Sequence, residues 1–251
     1  MAEEANKKSS GKKKKAKPSP EQVQARKDLI KALGFCITAV ILVRSFIFEP
    51  FKIPTSSMVP TLQIGDHIFV SKYNYGLSIP FTRVLFAKWG GPQRGDVIVF
   101  LFPKDESVHY IKRVLGVPGD KIQFKGKEII VNGEAIPKEK VEDAEILKRL
   151  TDGTDSVEVY RETINGHDHY VRYSTKKHHQ LLRIEQEEVI PEGHYFVVGD
   201  NRDESYDSRS WGLVPRNYIK GKAQAIWLSL DPGESWGADK VRWSRTGTAI
   251  H

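Results

Sequence analysis

The sequence predicts a mainly β fold behind an N-terminal transmembrane helix, with a smaller β/α subdomain inserted in the β-rich part. Three observations carry this. Gly-Asp pairs at 65–66, 95–96 and 119–120 each open a run of β-branched and aromatic residues, which is turn chemistry feeding a strand. One apolar stretch near the N-terminus is bracketed by cations instead of turn residues. Beyond it, only KEKVEDAEILKRL (138–150) has clear helical spacing, through Val141, Ile146 and Leu150.

Taken in chain order, residues 1–28 come first. Their Lys, Ser, Gly, Pro and Glu content cannot build a core, and they are expected to be disordered. Of the formal charge of +7, +6 resides here: residues 1–31 hold ten Lys/Arg against four Asp/Glu, leaving 29 basic and 28 acidic residues for the rest. A nucleic-acid-binding face on the folded part is therefore not expected. The 39% hydrophobic content excludes a multi-span membrane protein, and 251 residues suffice for one large domain or two small ones.

Residues 29–48, LIKALGFCITAVILVRSFIF, are expected to form the anchor. Ala32 to Val43 carry no charge, and Lys31 and Arg44 bracket them where long side chains can snorkel. Twenty helical residues reach about 30 Å, the thickness of a bilayer core. A 28-residue leader and the lack of an A-x-A-like site after the apolar run favour a retained anchor over a cleaved signal peptide. The lysine block places residues 1–28 in the cytoplasm and the rest outside, and it favours anionic lipid. The lone cysteine, Cys36, excludes an internal disulfide and a cysteine zinc cluster.

After the anchor, HIFVSKY, VIVFLF and KIQF follow the three Gly-Asp turns, Lys125-Gly126 and Asn132-Gly133 bracket KEIIV, and HYFVVGD and AQAIWLSL supply two more strands. The expected division is a β-rich domain over 49–124 and 191–251, interrupted by an insertion over 125–190.

Chemistry has several candidates. GESWG (233–237) has the G-x-S-x-G form, but Asp231-Pro232-Gly233 breaks the strand that such an elbow requires. Ser9-x-x-Lys12 lies in the lysine tail, where nothing preorganises it. His167, His169, His178 and His179 match no zinc spacing, so no metal and no other cofactor is expected. PTSSMVPTL (54–62) reads by itself as a stiff linker, HYIKRVLGVPGD (109–120) places Lys112 inside an apolar strand, and GDNRDESYDSRSWG (199–212) reads by itself as a solvated polar loop.

Together these blocks resemble the sequence boxes of the type I signal peptidases, membrane-anchored serine proteases of exported preproteins. The likeness covers the anchor, EPFKIPTSSMVPTL, YIKR and GDNRD-x-S-x-DSR-x-WG in that order, and leaves out the tail and the 125–190 insertion. It implies a β-rich catalytic domain in which Ser57 is the nucleophile and Lys112 the general base, acting through an acyl-enzyme. It implies an oxyanion hole from the Ser57 backbone N–H and the Thr55 hydroxyl, where many relatives have serine. Ser205 is expected to hydrogen-bond and orient the lysine, and Asp207 and Arg209 to form an ion pair bracing the loop. Cleavage after small residues (A-x-A) would use shallow pockets involving Phe51, Ile53, Pro54, Met58, Leu62, Tyr110 and Ile111. His109, three residues from Lys112 in a strand, is expected on the opposite face and exposed.

The implied partners are signal-peptide-bearing preproteins, the lipid bilayer and the secretion machinery. The implied location is a bacterial inner membrane, N-terminus cytoplasmic and catalytic domain outside. IPFTRVLFAKW (79–89), Trp236 and Trp243 are candidate bilayer contacts. A tethered β-rich binding or scaffold module would explain the anchor and strands equally well, but not Ser57, Lys112 and the polar box together.

Overall fold

The structure, a computed structural model, describes residues 19–78, 85–151, 156–176, 187–233, 237 and 240–251. Most of the basic tail, residues 79–84, His178, His179, Trp236 and the serine of GESWG lie outside these.

Helix α1 runs Pro20–Phe46, so it starts inside the segment expected to be disordered. The cause is local. The Ser19 hydroxyl accepts from the Gln22 amide (3.3 Å), while the Gln22 side chain accepts from the Ser19 amide (3.0 Å). This is a capping box, with Pro20 pre-set at the first helical position. The helix exposes Leu29, Leu33, Phe35, Ile37 and Val40 to Val43, and it is long and apolar enough to cross a membrane.

Residues 43–251 make a second compact unit. Its strands are β1 (Phe48–Lys52), β2 (Asp66–Ser71), β3 (Gly76–Ser78), β4 (Leu85–Lys88), β5 (Val97–Phe102) and β6 (Asp105–Gly116). There follow β7 (Lys121–Lys125), β8 (Glu128–Val131), β9 (Glu134–Ala135), β10 (Lys138–Lys140), helix α2 (Ala144–Leu150), β11 (Val157–Ile164) and β12 (His167–Ser174). The last are β13 (Glu188–Val189), β14 (His194–Val198), helix α3 (Ser208–Trp211), β15 (Val214–Pro215) and β16 (Ile219–Ser229).

The main sheet is antiparallel, in the order β1-β2-β16-β5-β6-β14-β15. Every residue of β5 is buried because the strand feeds two cores. Val97 and Val99 pack with Ile68, Val70 and Ile226, while Ile98 and Phe100 pack with Val114, Val197 and Val214. Alternation along a pleated strand turns one continuous apolar run into two buried faces.

The segment 138–150 is half the helix its spacing predicts. Lys138–Lys140 pair with Glu162–Tyr160 as a strand, and Asp143 starts α2 by accepting from the amides of Glu145 and Ile146, both at 2.9 Å. The expected boundary at 124/125 cuts through a hairpin, since β7 pairs with β8 in the sheet β13-β7-β8-β9. Among the described residues, the insertion also holds helix α2 and the sheet β10-β11-β12. Asn165 and Gly166, at φ 50° and 77°, turn β11 tightly into β12.

Candidate active site

The segment after β1 is tied down before it turns. Ile53 donates to the Asp66 carbonyl (2.8 Å) and the Gly65 amide returns to Ile53 (3.0 Å). Val59 then bonds back to Ser56 (3.1 Å) and Leu62 to Met58 (2.9 Å). This winding drives Met58 and Leu62 fully into the core and leaves Ser57 8% exposed at a cleft.

Strand β6 supplies the other half. Lys112 lies opposite Ile98 of β5 and is 4% exposed. Its Nζ donates to Ser57 Oγ at 2.6 Å and to the Ile111 carbonyl at 3.0 Å. The Tyr110 ring centroid lies 5.4 Å from the amine. Burial lowers the Lys112 pKa to about 8, against the pull of Asp207 and Asp200, with Arg209 adding to the fall. Thr55 Oγ1 lies 3.5 Å from Ser57 Oγ.

The third element is the polar box after β14. The expected Asp207–Arg209 pair is bidentate, at 2.8 and 2.7 Å. Burial works against the Asp207 carboxylate, but Arg209, with the Gly199 amide at 3.0 Å, holds its pKa below the usual range. Gly199 is required by close approach, since a Cβ there would lie 2.4 Å from the Ser57 carbonyl and 2.2 Å from Ser205 Oγ. Next to it, Asn201 donates its amide to Ser57 O (3.1 Å) and its side chain to Ser56 O (3.0 Å). The box therefore grips the Ser56–Ser57 segment by its backbone.

Asp200 and Arg113 form a second buried ion pair, Arg113 following Lys112 in β6, at 2.9 and 2.8 Å, with Thr61 donating to Asp200 at 2.5 Å. Desolvation opposes the Asp200 charge, yet Arg113 keeps its pKa low. Reading for reactive groups passed over Arg113, Asp200 and Asn201, although all three stand inside the quoted boxes. Arg113 stands inside the buried half of β6, and Asp200 and Asn201 follow the buried strand β14, a charged or amide residue within or just after a buried strand being the available signal for a buried network.

The cleft, of about 260 Å³, is walled by residues 54–57, residues 108–112, Glu204 and Tyr206. Of the residues expected to contact substrate, Pro54, Tyr110 and Ile111 line this cleft. Ile53, Met58 and Leu62 do not: they are core residues, 2%, 0% and 0% exposed, because the turns after β1 point them inward. Phe51 is half-buried with its ring 5.3 Å from that of His109, which is exposed and also borders the cleft. The expected Ser205–Lys112 hydrogen bond is not formed. Ser205 Oγ is buried and packed against Gly199, on the side of the Asp207 carboxylate whose charge it favours, while the amine is directed to Ser57 and Ile111.

The chain is similar to known proteins over most of its length. Residues 26–228 match the family described as signal peptidase, peptidase S26. Signal peptidase I of Pseudomonas aeruginosa is 41% identical over 225 residues, covering 84% of this chain and 75% of the relative. Signal peptidase I of Haemophilus influenzae is 32% identical, covering 99% and 82%. That of Rickettsia conorii is 38% identical, covering 79% and 78%. A crystal structure of a signal peptidase I from Enterococcus faecalis aligns with TM-score 0.33 and 27% identity, covering 53% of this chain and 97% of that one.

Proposed function

This chain belongs to the signal peptidase family S26, and from that premise we propose that it removes signal peptides from preproteins with a Ser57–Lys112 dyad. The observation that carries the proposal is the 2.6 Å contact between a buried serine hydroxyl and a buried amine whose pKa burial lowers to about 8. A lysine at the ordinary value near 10.4 is neutral about once in a thousand at pH 7.4, and one at about 8 is neutral roughly once in five.

Neutral Lys112 accepts the Ser57 proton as Oγ attacks the scissile carbonyl. The oxyanion so formed is held by the Thr55 hydroxyl and the Ser57 amide, and the ammonium returns its proton to the leaving amine. The mature protein departs with that amine, while the signal peptide remains as an ester on Ser57. Water, deprotonated by the again neutral lysine, cleaves the ester and restores the hydroxyl. The Asp207–Arg209 pair keeps a carboxylate near the amine without leaving its charge uncompensated.

Thr55 carries a specific expectation. Thr55→Val, which keeps the shape and removes the donor, lowers kcat roughly 10²–10³-fold. Thr55→Ser retains activity within several-fold, as measured by steady-state cleavage. A Thr55→Val enzyme with wild-type kcat removes Thr55 from the oxyanion hole.

The small cleft fits small side chains, so cleavage follows an A-x-A-like site, larger residues being refused by clash. The catalytic unit works outside the inner membrane with residues 1–28 cytoplasmic. Phe86, Trp89 and Trp243, at 57%, 45% and 71% exposure, are its contacts with lipid. The test is cleavage of a purified preprotein by the detergent-solubilised full chain, with the N-terminus of the product sequenced. A single cut after an A-x-A-like site is expected, and cutting elsewhere, or none by folded protein, overturns the specificity or the activity.

A further inference from the structure

The insertion bears on the catalytic loop through a buried ionic cluster. Arg202, second-to-next after Asp200 in the polar box, is 1% exposed and reaches out of the loop into the β11–β12 hairpin. There it donates twice to Glu162 of β11, at 2.8 and 2.5 Å, and once to the Tyr173 hydroxyl of β12 at 3.2 Å. Glu162 is also 1% exposed. Its carboxylate faces Arg202, Tyr173, the cross-strand neighbour His169, whose Nε2 lies 3.6 Å away, and Lys138, its register partner on β10. Burial alone would raise the Glu162 pKa, but Arg202 and His169 hold it down at about 2. The backbones are joined as well: the Arg172 amide donates to Asp200 O (2.9 Å), and the Ser174 amide to the Asp203 carboxylate (2.8 Å).

From Arg202 the connection continues to the dyad by two short routes. Its carbonyl accepts from Arg209 at 2.6 Å, and Arg209 holds Asp207, whose charge acts on Lys112. Its neighbour Asn201 holds the carbonyls of Ser56 and Ser57. We propose that the inserted hairpin β11–β12 is a positioning element for the proposed Ser57–Lys112 dyad, and that Glu162 and Tyr173 are the positioning residues that set the 199–209 loop against it through Arg202. A buried carboxylate on a strand of the insertion has no solvent role to fill. Among the described residues, the cation that hydrogen-bonds it, Arg202, belongs to the loop whose Asp207 acts on the amine, so both must be in place together. This inference rests on the reading of the site given above.

The test uses the full chain in detergent, with Glu162→Gln and Tyr173→Phe compared with wild type in three measurements. These are the pH dependence of preprotein cleavage, the separate values of kcat and KM, and amide hydrogen exchange in residues 199–209. Glu162→Gln is expected to lower kcat about 10–100-fold with KM within about threefold, because a misplacement of the order of an ångström at a reacting pair has that effect. It should move the rising limb of the profile upward by about one pH unit, since burial is what lowers the Lys112 pKa and a loosened loop admits water. Exchange in 199–209 should quicken. Tyr173→Phe, which removes one hydroxyl and no charge, should give a two- to fivefold loss of kcat with the same change in exchange, and it decides the matter if Glu162→Gln does not fold. Lower thermal stability with kcat, pH limb and exchange in 199–209 all as in wild type would overturn the proposal and leave the cluster a mere fastening. Failure of wild type to cut any preprotein would overturn the dyad reading, while the exchange measurement still decides whether the hairpin sets the loop.

Discussion

Ser57→Ala is expected to abolish preprotein cleavage, with kcat falling roughly 10⁴–10⁶-fold, as losses of a nucleophile do when the rest of a site stays intact. The protein should remain folded. The hydroxyl accepts one bond from Lys112 and approaches Thr55 at 3.5 Å, while the segment itself is held through the Ser56 and Ser57 carbonyls by Asn201. None of those backbone bonds depends on Oγ. A shift in unfolding free energy of about 1–2 kcal/mol is the most that losing the hydroxyl's bond should cause, and chemical denaturation measures it. Substantial cleavage by folded Ser57→Ala would assign the nucleophile elsewhere.

Lys112→Ala is expected to have an effect of similar size, for a different reason. The hydroxyl remains, but among the described residues no other base is bonded to it: His109 faces the cleft exposed, with its ring against Phe51, and Arg113, next to Lys112 in the chain, is engaged by Asp200. Lys112→Arg should not rescue, because a guanidinium stays charged at any workable pH and demands more hydrogen-bond partners than this pocket offers. Removing a buried amine that folding already pushes toward neutrality should cost the fold the packing of its methylene stem and little electrostatics. Steady-state kinetics with far-ultraviolet circular dichroism on each variant check both parts. Cleavage within tenfold of wild type by Lys112→Arg would contradict the neutral-base role.

The strands were legible because Gly-Asp turns announce them and β-branched runs fill them. The four strands from Val97–Phe102 to Glu128–Val131 lie close to where such turns place them. The pairing of Ser57 with Lys112 was legible only through the order of three boxes. Nothing in either segment alone says that residues 55 apart meet at 2.6 Å. Other features were masked by competition between local and tertiary preference. Lys138–Lys140 sit in a helical pattern, but pairing with β11 supplies backbone partners and wins. Ile53, Met58 and Leu62 look like pocket residues because they flank Ser57, yet the turns around Ser56 and Met58 rotate them into the core. The helix start at Pro20 was written in Ser19-Pro20-Glu21-Gln22, a capping signal easily lost beside a lysine-rich tail. Glu162 is the opposite case. Along an alternating strand a lone carboxylate reads as solvent-facing, and only the docking of Arg202 makes it buried.

The account depends most on one property, a lysine neutral enough to act as a base near neutral pH. For a base whose pKa is lowered, activity is absent below that value and rises as pH climbs through it, so the dependence of kcat/KM on pH in the free enzyme reports it directly. Preprotein cleavage measured from pH 6 to 10.5 at constant ionic strength is expected to rise with an apparent pKa of about 8, the value that burial imposes on Lys112. A limb that rises only near 10.4, where an unperturbed lysine titrates, would contradict the dyad as described.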